Sequence, residues 1–365
     1  MGFTDEKIAV RFLQKIHLQH LLMLASVLLL SACSTFKPSC KTQLTSNWVD
    51  TKSLQTDIAK LASDELEGRK TGSQGAVLTR IYINQRFTQI GLTPWFYPAL
   101  PHRSNDQPHT PLDNRIDSQV KNAAFDVPFI YSQGFHHRQG RNVVGVLTAS
   151  RPSSHWRLIV AHYDHLGIKR GKIYPGADDN ASGIAAMLQL ATYAAANRSL
   201  YQDTNLMFVA TDAEEPGLYG GYALVERLNL PHSIPNAEQI ELAVNLDMVG
   251  RPDRSNVIHL EGRRGFSQFS LIQQNLIKET GLCIRAYHSR KRTSMAAHIN
   301  WLRASDHYPL HKAGIPWLYF GVPPHQDYHA PSDTVEKIDL EFLAAVTASA
   351  HQLLIINSLQ LENVP

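Results

Sequence analysis

Arg157-Leu158-Ile159-Val160-Ala161, followed at once by His162-Tyr163-Asp164-His165, is a short apolar run that ends in side chains able to bind metal or move protons. The run is too short for a helix of ordinary length and reads as a buried strand. Similar runs recur at 143–147, 205–211, 241–246 and 315–320, and between them lie helical stretches at 181–196, 266–280 and 340–358. Strands alternating with helices predict an α/β fold, with a mostly parallel central sheet flanked by helices on both faces. Upstream, Leu54, Ile58, Leu61 and Ala62 recur at helical spacing, as do Val77, Ile81, Phe87 and Ile90 before a stop at Gly91. The segment from about 93 to 140 is rich in Pro, His, Asn and Asp and lacks sustained periodicity, so it reads as an irregular insertion.

The ends of the apolar runs carry the chemistry. After 205–211 come Asp212-Ala213-Glu214-Glu215, after 241–246 comes Asp247, and after 315–320 a Pro-rich turn leads to His325 and Tyr328-His329. In open α/β sheets, sites form outside the carboxyl ends of the strands. A further loop, Gly176-Ala177-Asp178-Asp179-Asn180, runs directly into the helix starting near Ala181. Taken singly, these residues have plain structural readings. Asp178 and Asn180 would be helix caps, Glu214-Glu215 a solvated acidic pair, and a lone histidine after a strand a surface residue. Capping does not, however, require so many strand ends to present metal-ligating types together.

The strings His162-Tyr-Asp164, Gly176-Ala-Asp-Asp179-Asn-Ala-Ser-Gly183, Glu214-Glu215-Pro-Gly-Leu, Asn245-Leu-Asp247-Met and Tyr328-His329-Ala-Pro-Ser-Asp-Thr334 closely resemble the M28 family of zinc peptidases. Ser305-Asp306-His307, Ala313-Gly-Ile-Pro316 and the upstream stretch Leu61-Ala-Ser-Asp-Glu-Leu-Glu-Gly-Arg-Lys70 also look like that family. The resemblance spans most of 54–358 in order. It implies a zinc-dependent exopeptidase fold binding two Zn2+ per chain, with His162, Asp179, Glu215, Asp247 and His329 as metal ligands. It further implies that Asp179 bridges the ions, that Glu214 is the general base, and that Asp164 orients the ligand imidazole of His162. Ligands of this mixed His and carboxylate type suit catalytic zinc, which keeps a position open for water. Some aminopeptidases of the family carry a tyrosine shortly before Ser-Asp-His as an oxyanion donor, and Asn300-Trp-Leu-Arg-Ala-Ser305 has none.

At the N-terminus, Arg11 and Lys15 precede an apolar run, 21–30, too short for a stable bilayer span. Leu30-Ser31-Ala32-Cys33 resembles a bacterial lipobox, which implies a lipoprotein signal peptide over 1–32, lipidation of Cys33 and a polar tether over 33–50. The expected location is the cell envelope, lipid-anchored at the periplasmic face of the outer membrane. A single peptidase domain then fills 51–365. Cys40 lies in the tether, and it is expected not to form a structural disulfide with Cys283.

The composition is that of an ordinary globular protein, 43% hydrophobic and 18% charged. A net charge of +3 without a long Lys/Arg run gives no indication of a nucleic-acid partner. The expected substrate is a peptide, trimmed from its N-terminus by an aminopeptidase. Two other functions compete with it: a glutaminyl-cyclase-like zinc acyltransferase, and a non-catalytic peptidase-like envelope lipoprotein.

Overall fold

A computed structural model describes residues 40, 43–96, 124–252, 257–287 and 299–361. Residues 1–32, expected to be a signal peptide, and Cys33 lie outside the described residues. The strands in chain order are β1 (Thr93–Pro94), β2 (Asp126–Gln133), β3 (His136–Leu147), β4 (Trp156–His162), β5 (Gly167–Lys169), β6 (Lys172–Tyr174), β7 (Asn205–Thr211), β8 (Ile240–Leu246), β9 (Val257–Glu261), β10 (Cys283–Arg285) and β11 (Trp317–Gly321). All but β5 and β6, which form a small separate hairpin, join one nine-stranded sheet.

The sheet order is β1-β3-β7-β4-β8-β11-β9-β10, with β2 paired to β3. The centre, β7-β4-β8-β11, is wholly parallel, as the apolar runs predict. Antiparallel pairings lie outside it, where β3 meets β7 on one side and β9 meets β11 on the other. The α/β architecture is as expected, and the sheet is parallel at its core and mixed at its margins.

Every residue of β4 and β7 is buried, because helices cover both faces. Successive side chains alternate between the two faces. Ile159, Ala161, Phe208, Ala210, Val244 and Leu246 join one apolar cluster with the helices Thr51–Leu61, Gly183–Ala196, Phe269–Thr280 and Leu340–Ile355. Leu158, Val160, Met207, Val209 and Ala243 join the other, against the helices Tyr219–Leu228 and His307–Lys312. Local chemistry sets the helix ends. Asp50 accepts from the backbone N–H groups of Lys52 and Ser53, and Asp339 accepts from that of Phe342. Gly91 closes Gln74–Ile90 at φ 83°, a left-handed position that suits glycine.

Three expectations are corrected. The segment from about 93 to 140 is not wholly irregular: β1, β2 and the first part of β3 occupy its described ends, while 97–123 lie outside the described residues. The hairpin escaped notice because its outer residues, including His136 and His137, are polar and exposed. The tether does not extend to residue 50. Leu44, Trp48 and Val49 pack on the core, and the Thr45 N–H donates to the Thr280 carbonyl at 2.9 Å. Finally, Cys40 and Cys283 do form a disulfide, with Cα atoms 4.9 Å apart. Docking of 43–49 brings Cys40 to the start of β10, a proximity that a separation of 243 residues conceals.

Candidate metal centre

Because β4, β7, β8 and β11 run parallel, their carboxyl ends open on one rim. His162 is the last residue of β4, and Asp247 follows β8 directly. The His162 Nε2 lies 3.2 Å from Asp247 Oδ1 and 3.5 Å from Asp179 Oδ1. On the other side, the His329 Nε2 lies 3.1 Å from Asp179 Oδ2 and 3.3 Å from Glu215 Oε2. The two oxygens of Asp179 thus face two different clusters. Glu214 joins the first, with ligand-type atoms of His162, Glu214 and Asp247 all within 4.8 Å of one another.

The loop carrying Asp179 is held from several directions. The backbone N–H groups of Asp178 and Asp179 donate to Asp333 Oδ2 at 3.0 and 3.2 Å. Asp178 turns away from the clusters; it accepts the Gly250 N–H at 2.7 Å and lies 3.2 Å from His325. The Asn180 amide donates to the Leu246 carbonyl and accepts from Met248 N–H, tying the loop to the end of β8 beside Asp247. Gly176 has φ 58°, and a Cβ there would collide with the Asp179 carbonyl and the His165 ring.

Asp164 sits differently from the expectation. The His162 Nδ1 meets the Asp164 backbone carbonyl at 3.1 Å, whereas the carboxylate is 4.0 Å from that nitrogen. The carboxylate instead accepts from Glu214 N–H at 2.9 Å, Glu215 N–H at 3.3 Å and the Thr71 hydroxyl at 3.2 Å.

The electrostatics describe a crowded acidic pocket. Burial, then the nearby Asp247, Asp306 and Glu215 carboxylates, hold the Glu214 pKa well above its usual value despite His162. Burial would lower the His329 pKa, but hydrogen bonds to Asp179 and Glu215 prevail and raise it to about 10. Burial pushes the Asp306 pKa up to about 6, although its carboxylate accepts the Thr211 hydroxyl. So many buried carboxylates facing imidazoles fit divalent cations. The His165 Nδ1 and Glu215 Oε1 add to this fit: they lie 2.8 Å apart, yet both are buried without an aligned hydrogen-bond partner among the described residues.

Comparison with known proteins places this geometry in a family. Residues 142–354 match the model of peptidase family M28. The chain belongs to peptidase family M28. Among known proteins, it is 27% identical over 276 residues to "Aminopeptidase YwaD" of Bacillus subtilis, covering 70% of this chain and 54% of that protein. It is 28% identical over 227 residues to the glutaminyl-peptide cyclotransferase of Boiga irregularis, covering 54% of this chain and 61% of that protein. The chain therefore spans a little over half the length of these curated relatives. Among solved structures, BSAP, a zinc aminopeptidase from Bacillus subtilis, superposes with a TM-score of 0.59 at 16% identity, covering 85% of this chain and 96% of that one. Porphyromonas gingivalis glutaminyl cyclase gives a TM-score of 0.57 at 16% identity, covering 84% and 98%. Both likenesses establish the shared fold.

Within this M28 site, the sequence reading gave no role to two neighbours of the expected metal ligands, although both stand in the strings it quoted. His165, three residues beyond His162, has its ring fully buried and also lies 3.7 Å from Asp179. Tyr328 stacks on His329 with centroids 3.9 Å apart, and burial together with Asp179 and Glu215 raises its phenol pKa. By contrast, His307 stacks on Tyr319 and pairs with the Trp301 carbonyl, in keeping with a supporting place.

Proposed function

We propose that this protein is a co-catalytic two-zinc exopeptidase, an aminopeptidase that removes N-terminal residues from peptides. The observation that carries the reading is the division of Asp179, with Oδ1 facing His162 and Oδ2 facing His329. His162, Asp247 and Asp179 would hold one zinc, and Glu215, His329 and Asp179 the other. Bound there, zinc would supply Lewis acidity for the scissile carbonyl and lower the pKa of water towards about 7.

Glu214 takes the proton of the attacking water and returns it to the leaving amine. Its half-buried position beside His162 and Asp247 suits a carboxyl that must hold a proton between those transfers. Asp164 fixes the peptide groups of Glu214 and Glu215, so that one side chain faces the substrate while its neighbour faces the metal. Tyr328, stacked on His329, borders the same pocket.

The similarity to glutaminyl-peptide cyclotransferases keeps cyclisation of N-terminal glutamine as the second reading. A panel of free-amine and amine-blocked peptides, with zinc quantified per chain, tests both. Hydrolysis of free-amine peptides at two zinc ions per chain supports the aminopeptidase. Cyclisation of N-terminal glutamine with one zinc and no hydrolysis would replace it.

The same reading puts the protein on a membrane of the cell envelope through Cys33. The Cys40–Cys283 disulfide supports it, because such bridges persist in oxidising compartments. Cys33→Ser should release the protein from membranes; a variant that stays in the membrane fraction refutes the anchor.

A further inference from the structure

Arg69 belongs to the Leu61–Lys70 string, which the catalytic reading leaves without a role. Its side chain is fully buried. The Nε donates to the Tyr163 carbonyl at 2.8 Å. The Nη1 donates to the Leu61 and Pro175 carbonyls at 2.6 and 2.5 Å. The Nη2 donates to the Gly176 and Asp179 carbonyls at 2.9 and 3.4 Å. A guanidinium has five N–H donors, and here each finds a backbone carbonyl. Among the described residues, none of its hydrogen bonds goes to a carboxylate.

Four of those five carbonyls, all but that of Leu61, belong to two site segments. Tyr163 lies between His162 and Asp164, and Pro175, Gly176 and Asp179 belong to the loop that ends in Asp179 itself. Arg69 also returns a contact, as its own carbonyl accepts the His165 N–H at 3.3 Å. Glu67 and Arg69 adopt positive φ, 49° and 52°. Such backbone is strained and persists only where the surroundings over-determine it. The buried positive charge also stands behind the Asp164, Asp179, Glu215 and Asp333 carboxylates, whose mutual repulsion it offsets.

We propose that Arg69 is a positioning residue that sets the metal loop in advance, holding through backbone carbonyls the places from which His162 and Asp179 reach the metals. The proposal rests on the two-zinc reading. Lysine carries a compact charge with three donors and cannot reproduce the fork, and methionine keeps much of the volume with no donor.

The test uses full-length wild type, Arg69→Lys and Arg69→Met, with zinc dissociation constants from chelator competition, melting with and without zinc, and steady-state kinetics. In folded variants, zinc affinity should fall about tenfold or more, the scale seen when partners behind metal ligands are lost, with kcat falling more than KM rises. A merely structural Arg69 would lower melting equally with and without zinc and leave affinity within about twofold of wild type; that result overturns the proposal. Should neither variant fold, hydrogen exchange of zinc-free wild type decides. Amides of 176–183 should stay protected, and exchange about a hundredfold faster than in the zinc-bound protein overturns advance positioning. Wild type that binds no zinc removes the metal reading and the proposal together, whereas wild-type binding matched by both variants removes the proposal alone.

Discussion

The carboxylate of Asp164 accepts the backbone N–H of Glu214 at 2.9 Å, and the His162 ring is left to the Asp164 carbonyl. One residue thereby serves two neighbours through two different groups. The side chain belongs to the Glu214-Glu215 loop, and the main chain belongs to the imidazole.

Asp164→Asn separates these roles. The amide keeps one acceptor oxygen but turns an NH2 group towards N–H or hydroxyl donors that the carboxylate now satisfies. Because the carbonyl that meets His162 is unchanged, zinc affinity should stay within a few-fold of wild type, while kcat falls about ten- to a hundredfold. Zinc titration and steady-state kinetics on the same preparation check this. A fall in zinc affinity with normal turnover at saturating zinc would return Asp164 to the imidazole.

Glu214→Gln addresses the neighbouring group. Its carboxylate lies close enough to His162 and Asp247 to be counted geometrically with them. If its work is proton transfer, the variant keeps its full zinc content and loses about 10²–10⁴ in kcat. Loss of one zinc per chain would instead make Glu214 a ligand, so metal analysis must accompany the rate.

The central strands were legible because burial on both faces of a parallel sheet demands unbroken apolar runs, as in β4 and β7. Their polar terminators could then be read as a rim. The β2–β3 hairpin was not legible, since its exposed outer residues carry no constraint towards apolarity. Trp48 looked like part of a polar tether, yet its ring packs 4.0 Å from that of Tyr193. That contact depends on a helix about 140 residues away in sequence. His165 was visible as a letter, but its direction into the Glu215 side depends on the turn after β4. Arg69 was equally hidden, because backbone carbonyls leave no mark in a sequence.

The disulfide makes a prediction of its own. It closes a loop of 243 residues between the docked N-terminal segment and the start of β10. Restricting the unfolded chain over such a span typically stabilises by about 2–4 kcal/mol. Reduction, or the double substitution Cys40→Ala with Cys283→Ala, should lower the melting temperature by several degrees. It should also loosen 43–50, which protease cleavage or hydrogen exchange can detect. Unchanged melting and unchanged protection after verified reduction would show that packing of Leu44, Trp48 and Val49 holds the segment unaided.

The same segment reaches His351, whose ring meets Trp48, Tyr193 and Tyr201. Among the described residues, neither of its buried ring nitrogens has a hydrogen-bond partner. Burial pushes its pKa down to about 4. An unfolded chain carries an ordinary histidine with a pKa of about 6.5. Between these values the unfolded state binds a proton that the folded state refuses, so stability falls as pH drops from about 6.5 to about 4. Above that window the penalty is absent, and its full size is roughly 3–4 kcal/mol at most. His351→Phe keeps an aromatic ring in the box and loses no hydrogen bond. It should remove this part of the acid slope and be relatively more stable at pH 5 than at pH 7.5, as measured by urea unfolding at the two pH values. Parallel pH profiles for wild type and variant would show that His351 is protonated in the folded protein, and that acid sensitivity arises elsewhere.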